Sequence, residues 1–192
     1  GSDEKPRFII MEYLGGPKKQ KPLVLVGKGV TFDTGGINLK PSQGIGGMHM
    51  DMAGGAAVIA AVRAAALCKL PVHIVGIVPA TENMPSGTAL KPGDIVTSRS
   101  GATIEVLDTD AEGRLILADA LDYAKEFKPD LIVDAATLTG AALVALGEDR
   151  AAVIGNNQEL IESILTAGQT TGELLWQLPL DDVYRAYVKS DV

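Results

Sequence analysis

The sequence predicts an α/β protein with three layers, α/β/α, around a mixed, largely parallel central sheet. A short unbroken apolar run at 23–26 and buried strands at 72–78 and 131–134 alternate with helical stretches rich in Ala and Leu. In addition, the polar constellations follow directly after strands, where ligands gather in open sheets of this class.

The first twenty residues are rich in charge and end in a Gly15-Gly16-Pro17 turn and the basic cluster Lys18, Lys19, Lys21. They read as an entry segment, with Gly1-Ser2 as a tag remnant and the lysines as a solvated loop. Residues 21–192 read as one partial domain. The run LVLV at 23–26 has the pattern of a strand buried on both faces. Residues 27–47 are rich in Gly, Thr, Asn, Ser and Pro and read as a long loop; loops of that length within domains are usually functional.

Residues 53–69 have helical composition and stop before Pro71, ahead of the second buried strand at 72–78 and another long loop at 79–93. Segments 95–98 and 103–107 flank Arg99-Ser100-Gly101-Ala102, a hairpin turn. The next helix, 113–127, aligns Leu115, Leu117, Ala118, Leu121 and Ala124 on one face. A third buried strand at 131–134 precedes a short Ala-rich helix, a strand at 151–154, a helix from 158 to about 167 and a helical start near 181. The chain stops soon afterwards, so the sheet is expected to be truncated at its C-terminal end.

A chain of 192 residues can bury a substantial core. Its 46% hydrophobic and 21% charged composition is that of a soluble globular protein. The net charge of −7 argues against nucleic acid as a partner, because phosphate binding needs clustered Lys and Arg. One cysteine excludes an internal disulfide framework and fits a reducing compartment; Cys68 reads as a small core residue. No signal peptide and no apolar span of transmembrane length are expected, which points to a cytoplasmic protein without a membrane partner.

The most informative stretch is DTDAEGRL at 108–115. In an extended segment residues i, i+2 and i+4 share a side, which would turn Asp110, Glu112 and Arg114 toward one small volume. Like charges so close repel unless a cation separates them, and the arginine offers a place for an anion. The combination suggests a metal site beside an oxyanion pocket. The glycine-rich GKGVTFDTGG at 27–36 lacks the P-loop spacing, and no helix follows its glycines directly. Within it, Lys28 reads either as a surface lysine or as a functional one. Asp51, in MHMDM at 48–52, is equally a helix cap. His49 and His73 are too isolated for a histidine-based zinc site, so any metal here must be held by carboxylates, with or without an amine.

With GKGVTFDTGG, LKP at 39–41, MHMDM, DTDAEGRL and DAATLTGA at 134–141, in that order, the chain from Lys21 onward resembles the leucyl aminopeptidase family of di-metal cytosol aminopeptidases. The resemblance implies metal ligands at Lys28, Asp33, Asp51, Asp110 and Glu112, with Asp33 and Glu112 bridging two divalent ions, Mn²⁺ or Zn²⁺. Lys28 would coordinate as a neutral amine. It implies catalytic roles for Lys40, protonated and facing the developing oxyanion, and for Arg114, holding a bicarbonate that acts as general base.

Met48 is then expected to line the pocket for the first side chain of the substrate, and Thr137 and Leu138 to contact the peptide backbone; simple packing explains these three nearly as well. Asp108 stands where the family more usually has Asn, and Asn38 where Ser is commoner. The implied activity is release of N-terminal residues, leucine and other mainly apolar ones, from peptide substrates through a two-metal-activated water. The intact protein is expected to be a cytoplasmic homo-hexamer, with this shortened chain weak or inactive. Two other readings are a catalytically silent oligomeric scaffold or binding protein on the same fold, and a narrower di-metal dipeptidase.

Overall fold

In the computed structural model, which describes residues 1–192, the chain opens with strand β1 (Arg7–Leu14), then β2 (Leu23–Gly27) and β3 (Gly29–Asp33). A short helix α1 (Ser42–Ile45) and a 3₁₀ turn (Met48–Met52) lead into α2 (Ala53–Leu67). Strand β4 (His73–Asn83), the hairpin β5 (Asp94–Thr97) and β6 (Thr103–Val106), a 3₁₀ turn (Thr109–Ala111), α3 (Glu112–Ala124) and β7 (Leu131–Ala135) follow. These elements lie in a first unit, Gly1–Leu138 together with Val192.

Its sheet has the order β1-β4-β2-β7, with β3 also on β4. The β1–β4 pairing is antiparallel and the other three are parallel. The eleven-residue β4 is the spine. Val26 pairs with Ile77, and after a break at Lys28 the register resumes with Gly29 opposite Ala80.

Alternation along the strands sets the layers. Val24 and Val26 of β2 join Val75 and Ile77 of β4 against Leu117, Ala120 and Ala124 of α3. Leu25 instead packs with Ile74, Met11 and Tyr13 against Val62 and Ala65 of α2. The sheet is thus covered by one helix on each face, the α/β/α arrangement expected. Each fully buried valine contributes about 1.5–3 kcal/mol, and Val24, Val26, Val30 and Val75 are fully buried.

Three strands were not expected. β1 occupies the segment expected to be an entry segment, β3 lies inside the expected long loop, and β9 (Leu175–Gln177) was not foreseen. Two other expectations are corrected. Cys68 is exposed at the end of α2, where the helix has passed beyond the sheet-facing residues Val62 and Ala65. The run Met48–Leu67 is long and apolar enough to cross a membrane by length and composition. Asp51 and Arg63 interrupt it, which hides it from a search for an unbroken apolar span. Here it is the helix that covers one face of the sheet.

A second unit, Thr139–Asp191, contains α4 (Gly140–Leu146), β8 (Ala151–Val153), α5 (Gln158–Thr171) and β9. β8 and β9 pair in parallel. The Asn157 side chain caps α5 by accepting from the Leu160 N–H at 3.0 Å. Gly172, at φ +81°, ends the helix in the left-handed region.

Candidate metal centre

The carboxyl ends of β2, β3, β4 and β7 deliver Lys28, Asp33, Asn83 and Thr137 to one place. Lys28 stands at the break between β2 and β3, its N–H donating to the Ala135 carbonyl at 3.0 Å and its carbonyl accepting from the Gly55 N–H at 2.7 Å. Those bonds fix the backbone while the side chain turns inward and is only 4% exposed. Its ammonium donates to Asp51 Oδ1 at 2.8 Å and the Thr137 carbonyl at 2.9 Å, and stands 2.8 Å from Glu112 Oε1. Gly113 makes room for it: a Cβ there would lie 2.8 Å from Lys28 Cε.

Asp51 is buried and does not cap α2; its Oδ1 also accepts from the Thr137 hydroxyl at 2.7 Å. Beyond β3 the chain folds back on itself. The Thr34 N–H donates to the Asn83 carbonyl at 3.0 Å, and the Lys40 N–H to the Thr34 carbonyl at 2.9 Å. Lys40 Nζ consequently reaches Asp33 Oδ2 at 3.0 Å and also pairs with Asp110.

The segment 108–114 differs from the extended geometry expected of it. Thr109–Ala111 is a 3₁₀ turn and α3 begins at Glu112, with the Asp108 carboxylate accepting from the Asp110 N–H at 2.9 Å. Asp110 and Glu112 still converge: one oxygen from each, with one from Asp33, lie within 4.8 Å of one another. Arg114 sits in the first turn of the helix, is exposed, and makes no hydrogen bond or ion pair. A helix, unlike a strand, turns residues i and i+2 to different sides, and within α3 this separates Arg114 from Glu112. Six of the seven expected metal and catalytic residues therefore share one contact network, and Arg114 lies outside it.

Among the expected substrate contacts, Thr137 is in the network, Leu138 is 44% exposed with its Cδ1 near Gly113, and Met48 is half-buried in the turn before α2. His49 packs on Phe32 and His73 bonds Glu12 and the Gln20 carbonyl; neither joins the site. Asn83 and Thr109 were not foreseen. Asn83 Nδ2 donates to Asp33 Oδ1 at 2.8 Å and to the Thr109 carbonyl at 3.0 Å. Thr109 Oγ1 donates to the Gly35 carbonyl at 2.6 Å and accepts from the Asn38 N–H at 2.8 Å. Asn83 lay inside the loop expected at 79–93, and only the extension of β4 to that residue brings it to the strand end.

The electrostatics favour a further cation. Four carboxylates face two ammonium groups. Asp51 Oδ2 and Glu112 Oε1 are buried without a hydrogen bond, although each lies 2.8 Å from Lys28 Nζ; proximity is present there but alignment is not. Burial pushes the Glu112 carboxyl above its ordinary value, more than Lys28 draws it down. Burial likewise pushes Asp110 up, with the charges of Asp33 and Asp108 adding to it. Burial also opposes ionisation of Asp33, but Lys40, the Gly35 N–H and Asn83 outweigh it and hold that carboxyl low.

Lys40 is disfavoured by burial and restored by Asp110 and Asp33, so it keeps its proton more tightly than usual. Both ends of the Lys40–Asp110 pair are thus raised. Crowding at Asp110 outweighs its share of an ammonium that Asp33 also claims. Buried carboxylate oxygens lacking aligned donors, beside an amine, form a donor set that fits divalent metal ions.

The fold and this cluster define an α/β protein with a metal-binding type of centre at the carboxyl end of its sheet. The chain belongs to the cytosol aminopeptidase family: the model of that family's catalytic domain matches residues 1–192. It is 58% identical over 193 residues to a probable cytosol aminopeptidase of Chlorobaculum tepidum, covering 100% of this chain and 38% of that protein. A probable cytosol aminopeptidase of Syntrophotalea carbinolica is also 58% identical, with 100% and 39% covered.

Among solved structures, the cytosol aminopeptidase from Coxiella burnetii superposes with a TM-score of 0.93 at 42% identity, over 100% of this chain and 41% of its own. The bottromycin maturation enzyme BotP in complex with Mn gives 0.93 at 43%, over 100% and 42%. The chain thus spans about two fifths of the length of these relatives.

Proposed function

We propose that this chain carries the catalytic centre of a cytosolic, metal-dependent aminopeptidase that releases leucine and other mainly apolar residues from the N-termini of peptides. The observation that supports it most is the junction at the strand ends, where Lys28, Asp33, Asp51, Asp110, Glu112 and Lys40 meet around buried carboxylate oxygens without aligned donors. Lys28, Asp33, Asp51, Asp110 and Glu112 would hold two divalent ions, Mn²⁺ or Zn²⁺. Such ions supply a water acidified to near neutral pH and a Lewis acid for the scissile carbonyl.

The remaining chemistry belongs to the chain's own groups. Lys40 holds its proton and, released from Asp33 and Asp110, donates to the carbonyl oxygen as negative charge develops there. Arg114 keeps a planar, unpaired guanidinium in solvent, suited to a two-bond grip on bicarbonate, an anion basic enough to take a proton from water. The Thr137 carbonyl orients Lys28; Thr137 and Leu138 would contact the peptide backbone, and Met48 would face its first side chain. The intact protein would act as a homo-hexamer.

The full-length protein incubated with Mn²⁺ and a chromogenic leucyl amide tests this reading. Turnover abolished by a chelator and restored by Mn²⁺ is the expected result. Absence of metal-dependent turnover would overturn it.

A further inference from the structure

We infer that Asn83 is a positioning residue for the metal centre, selecting which oxygen of each bridging carboxylate faces a cation. The inference rests on the reading of the cluster as a metal site. Asn83 ends β4, and its carbonyl accepts from both the Thr34 N–H at 3.0 Å and the Thr34 hydroxyl at 2.8 Å. Its backbone is thereby tied to the segment that carries Asp33.

Its side-chain Nδ2 faces three acceptors: Asp33 Oδ1 at 2.8 Å, the Thr109 carbonyl at 3.0 Å and Glu112 Oε2 at 3.4 Å. One amide thus touches both the segment bearing Asp33 and the segment bearing Asp110 and Glu112. The two carboxylates it reaches are those assigned to bridge the ions. In each case Asn83 takes one oxygen and leaves the other for a cation. Asp33 Oδ2 lies 3.0 Å from the Lys40 ammonium, and Glu112 Oε1 lies 2.8 Å from that of Lys28.

The amide itself is held in orientation. A Cβ on Gly36, which has φ +68°, would lie 2.9 Å from Asn83 Oδ1 and 3.1 Å from Thr109 Oγ1. Glycine is required there both by conformation and by space, and the close fit restrains Asn83 Oδ1. A neutral donor suits the task because it orients two carboxylates without neutralising either. Aspartate in its place would instead add a third negative charge to the pair.

The test is a calorimetric Mn²⁺ titration of the 192-residue chain as wild type, Asn83→Ala, Asn83→Asp and Thr34→Val, with melting temperatures recorded in chelator. Asn83→Ala is expected to weaken Mn²⁺ binding by roughly ten- to a hundred-fold, as for other groups that orient metal ligands, and Asn83→Asp at least as much. Thr34→Val loses the hydroxyl bond to the Asn83 carbonyl without touching a carboxylate, so it should lower the melting temperature and leave the Mn²⁺ affinity unchanged.

Unchanged affinity in a folded Asn83→Ala or Asn83→Asp protein would overturn the positioning role alone. So would a loss of affinity in Thr34→Val that scales with its loss of stability. A wild-type chain that binds no Mn²⁺ would overturn the metal-centre reading together with it.

Discussion

Lys28 Nζ and Glu112 Oε1 face each other at 2.8 Å with side chains only 4% and 13% exposed, yet that oxygen has no aligned hydrogen bond. Proximity without alignment makes this pair a weak stabiliser. Its ammonium is also shared with Asp51, so one buried cation serves two buried anions. Removing one partner of such a set leaves uncompensated buried charge, which costs about 3–5 kcal/mol. Lys28→Met is therefore expected to destabilise the metal-free protein by about that amount, measured by urea denaturation in chelator. A loss below 1 kcal/mol would contradict the shared-cation account.

Glu112 should behave in the opposite way. Burial holds its carboxyl above its ordinary 4.5, so the protonated form is favoured in the folded state. Its contribution to stability is complete below 4.5 and is lost as pH rises through the folded value. Asp110 follows the same sign. Asp33 is held low, so its contribution is present above its ordinary 3.8 and is lost as pH falls through its lower folded value. Glu112→Gln removes the first penalty. It should raise the metal-free melting temperature at pH 7, by about 2–4 °C per kcal/mol relieved, flatten its fall above pH 4.5, and weaken Mn²⁺ binding. A variant less stable than wild type at pH 7 would contradict the assignment.

Lys40 presents an ammonium to Asp33 and Asp110, the carboxylates a divalent ion would also need. Cation and ammonium therefore compete. A ligand stabilises the folded state according to its affinity for it, so Lys40→Ala should melt lower than wild type in chelator but gain more from saturating Mn²⁺. In the full-length enzyme the same change should cost roughly 10²–10³ in turnover of a leucyl amide, the loss typical of an oxyanion donor. A smaller Mn²⁺ gain in thermal scans, or unchanged turnover, would contradict these roles.

The layers of the fold were legible because β2 is an apolar run, the first part of β4 and most of β7 are apolar, and α2 and α3 carry helical patterns of matching length. β3 was not legible. Gly29–Asp33 has the composition of a loop and becomes a strand only because β4 continues through Ala80–Asn83 to pair with it, a contact about fifty residues away in sequence. β1 was obscured by the charged residues on both sides of Arg7–Leu14, although that segment itself is rich in strand-forming residues.

For the site, Lys28, Asp33 and Asp110 were legible as polar residues following strands, and the family resemblance named them, with Asp51 and Glu112, as expected metal ligands. The reasoning that joined Arg114 to them assumed an extended backbone, and the turn at Thr109–Ala111 replaces it. Asn83 could not be weighed from the sequence, because its role depends on the spacing of two carboxylates brought together only by the fold.

The central claim is that these carboxylates and Lys28 hold divalent ions. Anomalous diffraction at the manganese edge, from crystals of this chain soaked in Mn²⁺, tests it most directly. The account predicts two strong peaks within coordination distance of Asp33, Asp51, Asp110 and Glu112, both lost in Glu112→Gln crystals. Peaks found only at the surface, or none while Lys28 and Lys40 keep their carboxylate contacts, would contradict it.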